Sequence, residues 1–303
     1  DLDAGVAPDR QAILFLGLPA AIGIQLRAFP ELALSDAETD RIVRHYVRDV
    51  WDRRAFMVAN ARAELKGPYA GTVLGEAWQV LDPLFQAMIY MFLFTAIRGK
   101  GGSDYFLMVV SGVFFFNFTM VGLGEGGRAI QKSKGLVLNS TFPLATLPLS
   151  FLYGGFLELL PTLGVYAVLH LLFGGAIGAG LFALPLLFLL QVAITVGLML
   201  IFATLTVYVR DMMNLLEYVL RVLMFITPVI YPASELEKLP SILTTVLHFN
   251  PLFTLFASYQ AVLGGGVPTA GNVAQSMVWA LVLPVIGFRF FVSRERGFAL
   301  RLQ

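Results

Sequence analysis

The chain has 303 residues, of which 57% are hydrophobic and 14% charged, with a mean hydropathy of +0.77. Soluble domains carry about 45–50% apolar and about 25% charged residues, so the excess calls for a bilayer and not only a core. A net charge of +1 argues against a nucleic-acid partner, and the absence of cysteine excludes disulfides and thiolate metal sites.

The N-terminus opens with Asp1, Asp3 and Asp9 where a secretory signal has basic residues, so no signal peptide is expected. Residues 12–26 are apolar but interrupted by Pro19 and Gly23. They fall short of the ~20 residues a span needs, so an interfacial or packed segment is expected. Ser35 and Glu38 are spaced as a capping box. Beyond them Ile42, Val43, Tyr46, Val47, Val50 and Trp51 recur at helical spacing, opposite Arg41, Arg44, Arg48, Asp49 and Asp52. This is the pattern of an amphipathic helix. A second stretch, Arg53 to Lys66, mixes Phe56, Met57, Val58 and Leu65 with Arg53, Arg54, Arg62 and Lys66. Two placements fit it: the membrane interface, or a solvated helix packed on a partner.

Six apolar segments come next as predicted spans: Trp78 to Ile97, Tyr105 to Leu123, Leu147 to Phe173, Leu181 to Val207, Met212 to Tyr231, and Val273 to Val292. Lipid offers no partner to backbone polar groups, so each is expected to be a helix. Between the last two lies Pro232 to Pro268, broken by Pro240, Pro251 and Gly264–Gly266. Half-helices re-entering the membrane fit that pattern. The expected fold class is therefore an all-α membrane protein with six transmembrane helices, an N-terminal amphipathic interface helix and re-entrant periplasmic half-helices before the last span.

Lysine and arginine counts set the orientation. Arg41, Arg44, Arg48, Arg53, Arg54, Arg62 and Lys66 precede the first span. Arg128, Lys132 and Lys134 come after the second, Arg210 after the fourth, and Arg294, Arg296 and Arg301 after the sixth, with Arg289 near enough to snorkel. The other side has Arg98, Lys100 and Lys238. Both termini are expected to be cytoplasmic.

Catalytic signals are missing. No GxxxxGK[ST] loop occurs, and Arg98-Gly-Lys-Gly-Gly102 lacks its spacing, so ATP is not bound by that route. Neither a Ser/His/Asp arrangement nor HExxH is present. Asp82, Glu76 and Asp211 stand near the span ends without a paired histidine or carboxylate, and His45, His170 and His248 are far apart. Ionisable residues inside spans are functional suspects. Glu217 and Arg221 lie four apart in the fifth and are expected to pair. Glu158 in the third span is either a buried hydrogen-bonded acid or a proton relay.

The loop Glu125–Pro143 is basic and bears Ile130, Leu136 and Val137. A short amphipathic helix there would dock into a groove on a soluble partner; an ordinary positive-inside loop is the plainer reading. The chain also holds 26 phenylalanines and 10 tyrosines. Pyranose rings pack their C–H faces on aromatic rings, and a moving polymer needs many weak sites, as pores do. Phe114, Phe115 and Phe116, together with Tyr90, are the candidate conduit aromatics, although any single ring is accommodated as readily by lipid or packing.

Four motifs in register carry a family resemblance. They are Tyr69-Ala-Gly-Thr-Val-Leu-Gly-Glu-Ala-Trp78 followed by Leu81-Asp-Pro-Leu84, and the Glu125–Pro143 loop ending in Phe142-Pro143. The others are Tyr208-Val-Arg-Asp211, and Thr227-Pro-Val-Ile-Tyr-Pro232 with Asn250-Pro-Leu252 beyond it. Over roughly residues 50–295 the chain resembles the permease subunits of ABC exporters for O-antigens, galactan, capsular polysaccharides and teichoic acids. The resemblance implies a homodimer of permeases in the bacterial inner membrane, with two copies of a separate ATPase that supplies ATP and Mg²⁺ chemistry. This chain would then have no cofactor or metal and would not itself be an enzyme.

A lipid-linked polysaccharide would be the substrate. Arg53, Arg54, Arg62, Lys66, Tyr69 and Trp78 would hold its headgroup at the entrance. Arg128, Ile130, Lys132, Leu136, Val137, Arg210 and Asp211 would couple to the ATPase. Pro228, Tyr231, Pro232, Asn250 and Pro251 would form the periplasmic gate. The implied division is 1–48 N-terminal segment, 49–76 interface helix and entry motif, 77–293 permease domain with coupling loop 125–143 and gate segment 232–263, and 294–303 cytoplasmic tail. The alternatives are a related ABC permease for small lipids or drugs, and a stand-alone secondary transporter, although no repeat relates the two halves as such transporters usually require.

Overall fold

A computed structural model describes residues 45–67, 71–98, 102–139, 142–209, 211–236 and 240–302. The expectations for residues 12–26, the capping box at Ser35 and Glu38, Tyr69 and Arg210 lie outside them. Every regular element among the described residues is helical.

Residues 45–52 are helical and turn at Arg53, whose φ/ψ of −93°/15° leaves the helical region, into α1 (Arg54–Lys66). After a 3₁₀ turn at Gly75–Ala77 comes α2 (Trp78–Arg98), with Pro83 near its start. Next is α3 (Ser103–Val121), which passes through a π-helical turn, Gly122–Gly126, directly into α4 (Gly127–Lys132). A break at Ser133 leads to α5 (Lys134–Asn139). The predicted second span therefore does not stop at Leu123. Its helix runs on to Lys132 because glycines at 122, 124, 126 and 127 let it pack closely on its neighbours and no proline interrupts it. The first half of the predicted loop is helix.

Then come α6 (Thr146–Leu172), α7 (Leu184–Tyr208) and α8 (Met212–Ile226). Pro185 sits in the first turn of α7, where its missing N–H has no helical partner to lose. The predicted fifth span ends early. Thr227 is extended (φ −101°, ψ 139°), the conformation that Pro228 imposes on the residue before it. At 15 residues, α8 is about 22 Å long, less than the hydrocarbon thickness. Three short helices succeed it, α9 (Ala233–Leu236), α10 (Ser241–His248) and α11 (Phe253–Leu263). The chain closes with α12 (Ala270–Glu295), capped by Thr269 Oγ1, and α13 (Phe298–Leu302).

Among the described residues, four helical stretches are long and apolar enough to cross a membrane: Ser103–Lys132, Thr146–Leu172, Ala179–Tyr208 and Ala270–Glu295. α3 lies at the centre, buried almost continuously from Val109 to Thr119. α7 and α12 cross at near backbone contact: a Cβ added at Gly287 would stand 2.2 Å from the Gly197 carbonyl oxygen. Small residues at such crossings let membrane helices approach closely.

Two ends are distinguishable. One gathers α1, α5, the start of α6, the end of α7 and the C-terminal turn, with Arg53 beside Phe142 and Arg301 beside Tyr208. These are the segments rich in lysine and arginine. The other end gathers the start of α3, the turn at Gly174–Gly180 and the Tyr231–Ser234 and Gly264–Gly266 segments. They surround an open cleft of about 760 Å³.

Candidate transport site

At the basic end, α1 is fixed to α6. Asn60 Nδ2 donates to Ser150 Oγ at 2.8 Å, and Ala61, wholly buried, faces Gly154. Arg53, Arg54 and Arg62 remain exposed, the first two at the start of the helix and Arg62 beside the docked face. Arg53 lies over the Phe142 ring at 5.4 Å, and Arg54 lies over Trp51 while donating to its carbonyl at 3.2 Å. Trp78 is half-buried at the start of α2. Arg53 and Arg54 thus stand together and Arg62 lies further along α1, all with side chains open to an anion.

Just inside them, Tyr46 packs edge-on to Phe288 at 5.6 Å, and its hydroxyl accepts from Ala145 N–H. Glu295 accepts from Leu144 N–H beside it. Burial, and then the neighbouring Glu295 carboxylate, push the Tyr46 phenol far above its usual value, so it stays protonated. These contacts fasten the helix before α1 to the entry of α6 and the end of α12.

The predicted coupling residues divide into two groups. Ile130 is wholly buried and Val137 nearly so, because α4 and α5 fold back against the body. Neither offers a surface to a partner, which corrects their expected placement; Leu136 and Leu138 are the exposed apolar side chains there. Lys132 pairs with Glu125 and lies over Phe151. Asp211 is exposed, and its carbonyl accepts from Asn214 and Leu215 as α8 begins.

The expected Glu217–Arg221 pair is replaced by another. Glu217 bonds Arg128 of α4 at 2.8 Å, and Arg128 also donates to the Met213 carbonyl at 3.0 Å. Arg221 lies beside the Tyr218 ring instead. Glu158 has no ion-pair partner among the described residues.

The conduit assignment is also corrected. Phe114, Phe115 and Phe116 are all buried inside the single chain. Successive helical residues point about 100° apart, so three in a row are enclosed only when neighbours surround the helix. Phe115 stacks on Tyr259 at 4.3 Å and Phe116 meets Phe256 edge-on. They belong to the packing core and do not line an open path. Tyr90 is half-buried, with its hydroxyl 3.5 Å from Met224 Sδ, linking α2 to α8.

A polar chain that sequence reasoning missed crosses this core. Gln191 Nε2 donates to Phe115 O and Thr119 Oγ1, and Tyr259 Oη donates to Gln191 Oε1 at 3.0 Å. Gln191 alone among the α7 side chains carries an amide, and that oddity was the signal that could have found it.

The predicted gate residues do come together, around the non-helical stretch after α8. Pro228 and Tyr231 are buried, Pro232 and Pro251 half-buried. Asn250 Nδ2 donates to Thr227 Oγ1 and Ile226 O. Gln260 Nε2 donates to Pro228 O and Tyr231 O, and its Oε1 accepts from Ala233 N–H. Tyr105 donates to Ile230 O at 2.8 Å. Gly112 lets the bend lie against α3: an added Cβ would meet Val229 O at 2.3 Å. The bend is unwound backbone buried in protein, with its polar groups met by side chains of other segments.

A family model for ABC-2 type transporters matches residues 56–263. The chain belongs to that family. It is a membrane transporter subunit whose matched region runs from α1 to the end of α11. It is 27% identical to an O-antigen export system permease protein RfbA of Myxococcus xanthus, over 84% of this chain and 97% of the relative. It is 24% identical to a protein of the same name from Klebsiella pneumoniae, over 80% of this chain and 93% of that one. The family match takes in Arg62, the Arg128–Glu217 pair and the pinned bend.

Proposed function

We propose that this chain is the membrane-spanning subunit of an ATP-driven exporter that carries a lipid-linked polysaccharide across the bacterial inner membrane. The observation that carries the reading is the near end-to-end likeness to O-antigen export permeases, in a sequence without a phosphate-binding loop. ATP and Mg²⁺ are then handled by two copies of a separate ATPase, and two copies of this chain form the path between them.

In this reading the four long stretches are joined by α2 and α8 as first and fifth of six spans. The 21 residues of α2, about 31 Å, support that role. α8 is completed by the buried bend at 227–232, whose polar groups are met internally. The basic end is cytoplasmic, with both termini there. Residues 1–48 precede the entrance unit 49–76; the permease domain is 77–293 and the tail 294–303. Arg53, Arg54, Arg62 and Lys66 attract the lipid diphosphate, since clustered cations stabilise phosphate. α5 rests on the ATPase, and the bend around Pro228, Tyr231, Pro232, Asn250 and Pro251 closes the outer end.

The test is transport in inside-out vesicles holding this chain and its ATPase, with a fluorescent polyprenyl-diphosphate oligosaccharide. ATP-dependent accumulation inside is expected. Uptake without the ATPase, or ATP turnover by this chain alone, contradicts the reading.

A further inference from the structure

α8 is attached to the rest of the chain by one face. Leu216, Leu220 and Met224, one turn apart, are its buried side chains, while Leu215, Tyr218, Val222 and Phe225 are exposed. The buried face meets the Ser103–Lys132 stretch at its π-helical turn. Leu123 from that turn forms a buried cluster with Leu216 and Leu220. Glycines make the seat: a Cβ at Gly124 would come within 3.3 Å of Leu220 Cδ1, and one at Gly127 within 3.1 Å of Leu216 Cδ2. A seat of leucines against glycines resists separation but resists sliding poorly, because apolar contact has no direction.

Arg128 supplies the missing direction. It projects from the start of α4, two residues beyond the π-helical turn, and grips α8 at two points, Glu217 Oε1 and Met213 O. Its side chain is 19% exposed and its Nε has no acceptor among the described residues, so the guanidinium depends on these two oxygens. Glu217 is 56% exposed, so the pair contributes little to overall stability; what it fixes is register. Both bonds leave one nitrogen, Nη2, whose two hydrogens lie in fixed directions in the guanidinium plane, a geometry that a freely rotating ammonium does not hold. The same stretch ends at Lys132, next to α5, whose exposed Leu136 and Leu138 face outward. A π-helical turn also marks where a helix departs from its regular ladder, a frequent feature of functional sites.

We propose that the Arg128–Glu217 pair is a coupling clasp that makes α4 and α8 move as one, so that a push on α5 shifts the wall formed by α8. The proposal rests on the export reading, with α5 against the ATPase. Arg128 and Glu217 are positioning residues here; neither needs to touch substrate.

The experiment uses the full complex in proteoliposomes with a fluorescent polyprenyl-diphosphate oligosaccharide, and measures oligosaccharide moved per ATP hydrolysed. Arg128→Gln and Glu217→Gln are expected to keep hydrolysis and assembly while transport per ATP falls about tenfold, within the range of coupling between sites. The exchange Arg128→Glu with Glu217→Arg is expected to restore it. Because the chain has no cysteine, Arg128→Cys with Glu217→Cys provides a second route: a short bifunctional thiol reagent should recover the ratio lost in the double variant.

Unchanged transport per ATP in the single variants overturns the clasp, as does a cross-link that fails to recover it. A wild-type complex that hydrolyses ATP and moves no oligosaccharide overturns the export reading instead.

Discussion

The Asn250 side-chain amide donates to Thr227 Oγ1 at 2.8 Å, closing a gap of 23 residues at the point where α8 stops. The same amide reaches Ile226 O, and Asn250 Oδ1 accepts from Leu252 N–H. Asn250→Leu removes all three bonds and leaves buried oxygens without donors. A loss of about 2–3 kcal/mol is expected, read as a lower midpoint of thermal unfolding in detergent. A midpoint equal to wild type would mean that the Asn250 bonds do not hold the bend.

Gln191 and Tyr259 permit a graded comparison. Tyr259→Phe keeps the ring stacked on Phe115 and removes one donor from Gln191, which should cost about 1 kcal/mol. Gln191→Leu also removes the donors to Phe115 O and Thr119 Oγ1 and should cost more. The reverse order in denaturant titrations would show that the ring contact, not the amide, holds the centre.

At the α7–α12 crossing, Gly287→Val drives a branched side chain into the Gly197 backbone. Overpacking typically costs about 1–3 kcal/mol, and here the obstacle is main chain that cannot rotate aside. Monodisperse protein on gel filtration is expected to fall sharply. A neighbouring exposed position, Val285→Leu, should leave the yield unchanged.

Leu136→Asp with Leu138→Asp places charge on the two exposed apolar side chains of α5. Loss of the co-purifying ATPase is expected, while Val137→Asp should instead damage folding because that side chain is buried. ATPase recovered in wild-type ratio from the double variant would move the docking surface elsewhere.

Replacing Arg53, Arg54 and Arg62 by glutamine alters exposed side chains only. Thermal stability should stay within about 0.5 kcal/mol, while transport of a polyprenyl-diphosphate oligosaccharide falls. Equal transport with and without the three charges would remove the headgroup role.

Much of the helical frame is legible in the sequence. Long apolar runs appear as helices close to their expected limits at α2, α6, α7 and α12, because lipid leaves backbone no other choice. The segments dense in arginine and lysine do gather at one end. What fails is anything that depends on who sits beside whom. Phe114–Phe116 read as a sugar path because composition cannot say that α3 is surrounded. Glu217 read as the partner of Arg221 because helical spacing sees only its own helix; Arg128 stands 89 residues away. The early end of α8 is legible in Pro228, whose ring imposes an extended conformation on Thr227 within the apolar run.

The bend after α8 has a consequence for biogenesis. Its carbonyls at Pro228 and Tyr231 are served by Gln260, which emerges from the ribosome about thirty residues later. A nascent chain cannot bury that kink in hydrocarbon on its own, since its oxygens would be left bare. The kink must wait, hydrated or sheltered in the insertion channel, until α11 arrives. In the six-span reading, release of α8 into the bilayer is thereby tied to synthesis of a helix further down the chain, and a polypeptide truncated before Gln260 presents a defect that a membrane protease can recognise.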